Sequence, residues 1–486
     1  MIQSIKEYHN RTSYDRHAMG GVPLDWTNQP DVYKRYPGVK GLPLPRGVGL
    51  PGDRLSAIVR RRPPQGLEGP MSLEMLSRIL LMSYARTVLV RHTGGDFHYR
   101  SAPSAGALYP CELYAVAGPI SGMEPGLYHY AIPDHALIPL CPTPFQEALT
   151  LFVTAIFFRS AWKYRDRAYR YHLLDAGHVL ENLALAFRAL GLPYRVHYDF
   201  DDEGMNEFLG LDAHQEVCLA VAEFRGTGQE APHTAFTAMA KRAVPVSSPV
   251  APRQVDHPLI RRIHTATSHL PERAVEAPRM LHRLGVSLGA PISAPDPTDW
   301  PEQMNHVEAL WNRRSKRNFV RTPLPRGDLD ALLAALRLDD PAPLSGEASQ
   351  EESVCVGFLA ERVEGMASGF YLLERGPPAI CRVAAGDLAA GMARACLDQE
   401  WLANAALHFL FLANLDVLEA AWGPRGYRYA MMTAGRLGQR LYLAATAMGL
   451  GCCGIGALYD EEASRLLDLN SESKLLYLVA AGPVKK

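Results

Sequence analysis

No stretch of this chain is apolar for long enough to cross a bilayer. The apolar run LHFLFLANL over 407–415 falls far short of the ~20 residues that a spanning helix needs. Charge of either sign is not in excess: 50 Lys and Arg oppose 51 Asp and Glu, for a net charge of −1. No global field therefore draws the protein to nucleic acid or to anionic lipid. Cysteine is sparse, with eight residues, no C-x-x-C pair, and an adjacent couple at Cys452 and Cys453. That pattern predicts reduced, mostly buried thiols and excludes a disulfide framework or a zinc site. The 17 histidines have no matching ligand cluster, so no metal is expected. The opening MIQSIKEYHN lacks an apolar core of signal-peptide length. The expected compartment is the cytoplasm, with neither nucleic acid nor membrane as partner.

What is present is an internal repeat. The length of 486 residues is enough for two or three domains. YRYHLLDAGHVLENLALAFRALGL (169–192) and YRYAMMTAGRLGQRLYLAATAMGL (427–450) share eleven of 24 positions without a gap. Apolar residues recur at three and four spacing in both, which predicts two equivalent amphipathic helices. The flanks repeat as well: YHNRTS (8–13) faces IHTATS (263–268), and GLYHY (126–130) faces GFYLL (369–373). An old duplication explains this better than a short-period solenoid. The expected domains are 1–225 and 257–486, joined by a Pro-, Ser-, Ala- and Thr-containing linker over 226–256. Helices and strands do not alternate regularly, so each unit is expected to be α+β, with helices packed around one sheet.

Four motifs could carry chemistry. Arg313-Arg314-Ser315-Lys316-Arg317 offers cations and a hydroxyl to a phosphate, or is a solvated charged turn. RSAPSAGALYPCELYAVAG (100–118) is a backbone that a planar ligand could approach closely, or a tight loop before a core strand. MGLGCCGIGALYDEE (448–462) matches G-x-G-x-x-G literally, but its glycines follow a helix and precede a strand. That order rules out a dinucleotide fingerprint and leaves a glycine-rich loop facing a ligand, or a helix cap. Lys163-Tyr164 could share a proton and act as a base if buried, or could be an exposed lysine beside a half-buried tyrosine. Aligning Trp162 with Trp422 leaves the second copy two residues short at this point, so the pair has no counterpart there.

Together these residues resemble the FMN-dependent nitroreductase superfamily, and within it the SagB/ThcOx-type azoline dehydrogenases. PSAGALYPCELY (103–114), KYRDRAYRYHLLDAGHVLENLALA (163–186), RRSKRNF (313–319) and the 427–460 segment carry the resemblance. It implies two nitroreductase-like α+β domains, each a mostly antiparallel sheet surrounded by helices, fused as a pseudo-dimer within one chain. It implies FMN at the interface of the halves. Arg313, Arg314, Ser315 and Arg317 would hold the FMN phosphate, with Lys485 as a further cation. Ile455, Gly456 and Ala457 would present backbone amides near the reactive edge of the ring. Pro103, Ser104, Ala105 and Gly106 would reach it from the other half, and Lys163 and Tyr164 would be the catalytic pair. A base must take a proton from carbon, so desolvation or a neighbouring cation should lower the pKa of one member.

The losses are complementary. The first copy has Arg62 and Pro64 where the second has Ser315 and Arg317, and the second lacks PSAGALYP. A fused pair can keep one complete site while its counterpart decays, so one FMN per chain is expected. The leading function is oxidation of an azoline-like, peptide-derived or carrier-bound intermediate in natural-product biosynthesis, alongside other biosynthetic enzymes. The alternatives are an NAD(P)H-dependent nitro or quinone reductase, and a non-catalytic partner protein of a biosynthetic complex.

Overall fold

The computed structural model describes residues 4–21, 23–61, 71–92, 95–144, 149–224, 243–270, 279–294, 296–336, 350–375 and 378–485. Arg62 and Pro64 lie outside the described residues, as do 226–242 of the expected linker.

The first half contains β1 (Leu42–Pro43), β2 (Arg86–His92), β3 (Gly95–Arg100), β4 (Cys111–Ala117), β5 (Gly126–Ala131), β6 (Ala136–Pro142), β7 (Leu149–Ile156), β8 (Tyr194–His197) and β9 (Glu216–Phe224). Seven of these form one sheet in the order β1-β6-β5-β4-β7-β9-β8, while β2 and β3 make a separate hairpin. The second half contains β10 (Pro291–Ser293), β11 (Cys355–Ala360), β12 (Gly369–Arg375), β13 (Pro378–Ala385), β14 (Leu407–Asn414), β15 (Gly451–Ile455) and β16 (Ser473–Gly482). Their order, β10-β13-β12-β11-β14-β16-β15, repeats that of the first sheet element by element. Every pairing in both seven-stranded sheets is antiparallel. The central strands β4, β7, β11 and β14 are buried along their whole length, as their near-continuous apolar sequences require.

The repeated segments form helices Ala168–Ala189 and Gly426–Ala447, each of 22 residues. Every residue of the first is buried, because it is covered by its own sheet on one side and by its counterpart on the other. The two cross at equivalent glycines. A Cβ at Gly177 would run into the Met432 carbonyl oxygen, and one at Gly435 into that of Leu174. Only glycine lets the two backbones approach this closely.

Two equivalent buried ion clusters also join the halves. Asp460 takes Arg167 Nη1 at 2.7 Å and Arg170 Nη1 at 2.6 Å, with His9 Nε2 at 3.4 Å. Asp202 takes Arg425 Nη1 at 2.7 Å and Arg428 Nη1, with His264 Nε2 at 3.8 Å. The ends of the halves are exchanged. The helix Ile5–Arg11 lies on the second half, where Ile5 N donates to Glu419 Oε1 at 3.3 Å. The described end of the linker lies on the first, where Asp31 N donates to Val250 O at 2.6 Å.

One sequence expectation is corrected. Helix Phe157–Tyr164 and its counterpart Leu415–Trp422 both have eight residues, and each runs into a 3-10 turn and then the long helix. The copies are therefore in register without the two-residue gap. Trp422 stands in the place of Tyr164, and Ala421 in that of Lys163. The ring contacts agree: Tyr164 meets Tyr171 edge-on at 4.5 Å, and Trp422 meets Tyr429 at 5.8 Å. The identical tryptophans had suggested a false alignment.

Candidate active site

A cleft between the halves is lined from both sides. From the first half come the loop residues Pro103, Ser104, Ala105 and Gly106, then Tyr164, Tyr171 and Asp175. From the second come Ser315, Arg317, Tyr442, Cys453, Tyr477 and the turn Ile455-Gly456-Ala457. The sequence separates these groups by hundreds of residues, and the crossing of the long helices brings them together.

The loop is held under strain. Ala107 and Tyr109 have positive φ of 55° and 46°, which non-glycine residues rarely adopt. Ser104 fixes it. Its hydroxyl accepts from Tyr109 N at 2.9 Å and donates to Asp175 Oδ2 at 2.5 Å. The Lys163-Tyr164 pair lies against the same loop, since a Cβ on Gly106 would be 2.9 Å from Tyr164 Oη and 3.5 Å from Lys163 Cδ. Lys163 itself is exposed, with Nζ 5.4 Å from the Tyr164 ring centroid, and it stands outside the residues lining the cleft.

Across the cleft, Tyr442 organises the second half's contribution. Its hydroxyl lies 2.9 Å from Ser315 Oγ and accepts from Gly454 N at 2.6 Å. Gly456 leaves room for Tyr171, whose ring carbon would be 2.6 Å from a Cβ there. Arg167, anchored on Asp460, donates to Gly456 O at 3.0 Å and so fixes the turn. Among the described residues no acceptor takes the amides of Gly456 or Ala457, which leaves both for a ligand.

The basic cluster divides. Ser315 and Arg317 line the cleft and are exposed. Arg313 is buried instead, donating to Ser101 O at 2.8 Å and Arg100 O at 2.9 Å across the interface. Arg314 donates to the carbonyls of Trp311 and Arg313 and covers the Tyr99 ring at 5.2 Å. Lys485 N donates to Asn318 O at 3.1 Å, and its side chain does not line the cleft.

The expected lowering of a pKa in the catalytic pair is corrected for the tyrosine. Burial pushes the Tyr164 hydroxyl up, so it stays protonated. Asp175, Tyr171, Tyr442 and Tyr477 were missed in the sequence. Asp175 had a signal, because the other long helix has Thr433 at that position.

At the other end of the interface the described residues put side chains where the cleft has its glycine turn; the counterparts of Ser315, Arg317 and the loop Pro103–Gly106 lie outside the described residues. Where the second half has Gly456 and Ala457, the first has Tyr198 and Asp199. Tyr429 Oη donates to Asp199 Oδ1, and Arg436 Nη1 donates to Tyr198 Oη at 3.0 Å. Arg436 also binds Glu181 Oε2 through Nε at 2.8 Å. Side chains occupy the space that the glycine turn leaves open in the cleft.

Among the described residues no group of His, Cys, Asp and Glu could hold a metal ion, and no helix is long and apolar enough to cross a membrane. The Nitroreductase family profile matches residues 68–222 and 310–483. A protein of Methanocaldococcus jannaschii described as a nitroreductase is 30% identical over 181 residues, 36% of this chain and 90% of that one. The trifolitoxin-processing protein TfxB of Rhizobium leguminosarum is 32% identical over 175 residues, 32% of this chain and only 47% of its own length. A crystal structure from Anabaena variabilis, of a protein described as a nitroreductase, superposes with a TM-score of 0.75 at 27% identity. It covers 99% of this chain and all of that one, so the whole two-half arrangement is shared. The chain belongs to the nitroreductase family of oxidoreductases.

Proposed function

We propose that this chain is a flavin enzyme that binds one FMN in the shared cleft and oxidises an azoline-like ring in a peptide-derived substrate. The observation that carries the proposal is the asymmetry of the two turns: one, with Gly456 and Ala457, faces an open cleft, and in the other Tyr198 and Asp199, bonded to Arg436 and Tyr429, stand in their place. The residues present fit the cofactor. Ser315 and Arg317 supply a hydroxyl and a guanidinium for a phosphate. The free amides of Gly456 and Ala457 supply donors for a planar ring edge, and the loop Pro103–Gly106 supplies a close wall of small residues. A bound flavin would supply the acceptor for the two electrons removed from substrate.

The chain's own residues handle the proton. Oxidation of an azoline to an azole also removes a proton from carbon, and Lys163 at the rim is proposed as the group that takes it. Tyr164, held protonated, donates a hydrogen bond and orients the substrate. Peptide-processing is supported by the name of the TfxB relative, whose match reaches about half its length. Such substrates are presented by a leader peptide or by other enzymes of the same biosynthesis, which makes a protein partner part of the proposal.

Purified protein is expected to be yellow, with a flavin-to-chain ratio near one by absorbance. A ratio near two rejects the single site, and a colourless protein that takes up no added FMN rejects the flavin function. Lys163→Ala should retain FMN and lose substrate oxidation by about 10²-fold or more; normal turnover removes the lysine from the mechanism. The description of the full-length Anabaena relative as a nitroreductase favours a second function, reduction of nitro compounds or quinones by NAD(P)H. Rapid bleaching of the flavin by NADPH without peptide would select it.

A further inference from the structure

Asp175 is a buried carboxyl, 5% exposed, in the wall of the cleft. Its partners are all neutral: the Ser104 hydroxyl at 2.5 Å and the backbone N–H of Ala105. The titratable groups that feel its charge from the neighbouring elements are Tyr84, Cys111, Tyr164 and Tyr477. All four are pushed up by burial and remain protonated. One turn along its own helix, His178 is neutral, because burial lowers its pKa to about 3, and its ring nitrogens meet Gln439 Oε1 and Tyr477 Oη. No cation among the described residues lies beside this carboxylate, in contrast to Asp460, Asp202, Glu112 and Glu181. The carboxylates of Asp460, Asp202 and Glu181, buried between the halves, are paired with arginine. This one faces the cleft without a cation beside it, and the equivalent position of the other long helix is Thr433.

We propose that Asp175 stores one proton at the active site and thereby sets the direction in which Ser104 hydrogen-bonds. When Asp175 is ionised, the Ser104 O–H points to Oδ2, and the remaining lone pair of Oγ faces the cleft as an acceptor. When a proton binds Oδ2, that O–H becomes the donor to Oγ, and the serine proton turns outward as a donor. Tyr109 N–H stays bonded to Oγ in both states. One proton enters and none leaves, and no bond to carbon changes. The bound group therefore meets an acceptor in one state and a donor in the other. Burial raises the Asp175 pKa to about 7, so both states are populated near neutrality. Asp175 acts through Ser104 and is a positioning residue.

The proposal deepens the FMN function, and its test has one arm that does not depend on FMN. Infrared difference spectra of the flavin-free protein in a Glu361→Gln background, which removes the other carboxyl that burial raises to about 7, should show a protonated carboxyl that disappears between about pH 6 and pH 8. Asp175→Asn and Asp175→Thr, the latter taking the residue of the equivalent helix, should both lack it. Ser104→Ala should move the midpoint upward, because the serine bond favours the ionised form. Absence of that signal above pH 5, its persistence in both variants, or an unmoved midpoint in Ser104→Ala overturns the proposal, whether or not flavin binds. In the second arm FMN affinity of the wild type should change by about tenfold across this range, and Asp175→Asn should be flat. An Asp175→Asn profile identical to wild type also overturns it, whereas failure of every form to bind FMN rejects only the flavin function.

Discussion

Acidified from neutrality, the protein should lose its fold cooperatively between about pH 6 and 4.5. Seven histidines are buried and held neutral. Burial lowers His9, His172 and His178 to about 3, and His135, His306 and His408 to about 4. Burial and the neighbouring Arg428 lower His264 well below its ordinary value. In the unfolded chain each returns to about 6.5. Between those values the unfolded state binds protons that the folded state refuses. Stability is therefore fully present above about pH 6.5 and falls as pH drops, by up to about 1.4 kcal/mol per pH unit for each histidine. By pH 5 the group together removes roughly 10 kcal/mol, the size of a whole domain's stability. Far-UV circular dichroism and tryptophan fluorescence should show one transition. A native spectrum at pH 4 would reject the argument.

The second large effect concerns the two ion clusters. Asp460→Ala and Asp202→Ala should each destabilise the protein by about 3–5 kcal/mol, because each leaves two arginines buried without their counter-charge. Arg167 and Arg170 offset the cost of burying Asp460 and hold its carboxyl far below the usual range. Its contribution is present above about pH 4 and is lost as pH falls below it. Urea midpoints should shift similarly for both variants. Flavin binding should separate them, since only the Asp460 cluster reaches the cleft, through Arg167 and Gly456 O. Asp202→Ala should bind FMN as the parent does under native conditions. Equal loss of flavin in both would show that the glycine turn does not depend on Arg167.

The fold was legible because its strongest elements are local patterns. The long helices announce themselves by period and by eleven shared positions, and the strands by apolar runs. The loop Pro103–Gly106 and the glycine turn were legible as backbone that only small residues permit. Side-chain direction was not. Arg313 and Ser315 are two residues apart, yet the first faces carbonyls of the other half and the second faces the cleft. Charge alone does not separate a phosphate ligand from an interface anchor. Tyr442 and Tyr477 carried no signal, because their role exists only once distant strands meet. Asp175 is one of several polar positions at which the two long helices differ, beside His178/Arg436 and Asn182/Arg440, so the comparison alone did not single it out. The false gap near Trp422 shows the opposite hazard, in which an identical residue outweighed the uniform spacing of the elements around it.

The crossing at Gly177 and Gly435 has a kinetic consequence. In a dimer of separate chains, such a contact forms by collision, and the site dissolves on dilution. Here both helices belong to one molecule, so the encounter is unimolecular and its effective concentration is set by the connecting segment. Specific activity should stay constant from micromolar to subnanomolar enzyme. The connection also frees the partners from identity: with no need to complement its own copy, each half can change alone. One end of the interface has a glycine turn facing an open cleft, and the other has Tyr198 and Asp199 in place of that turn.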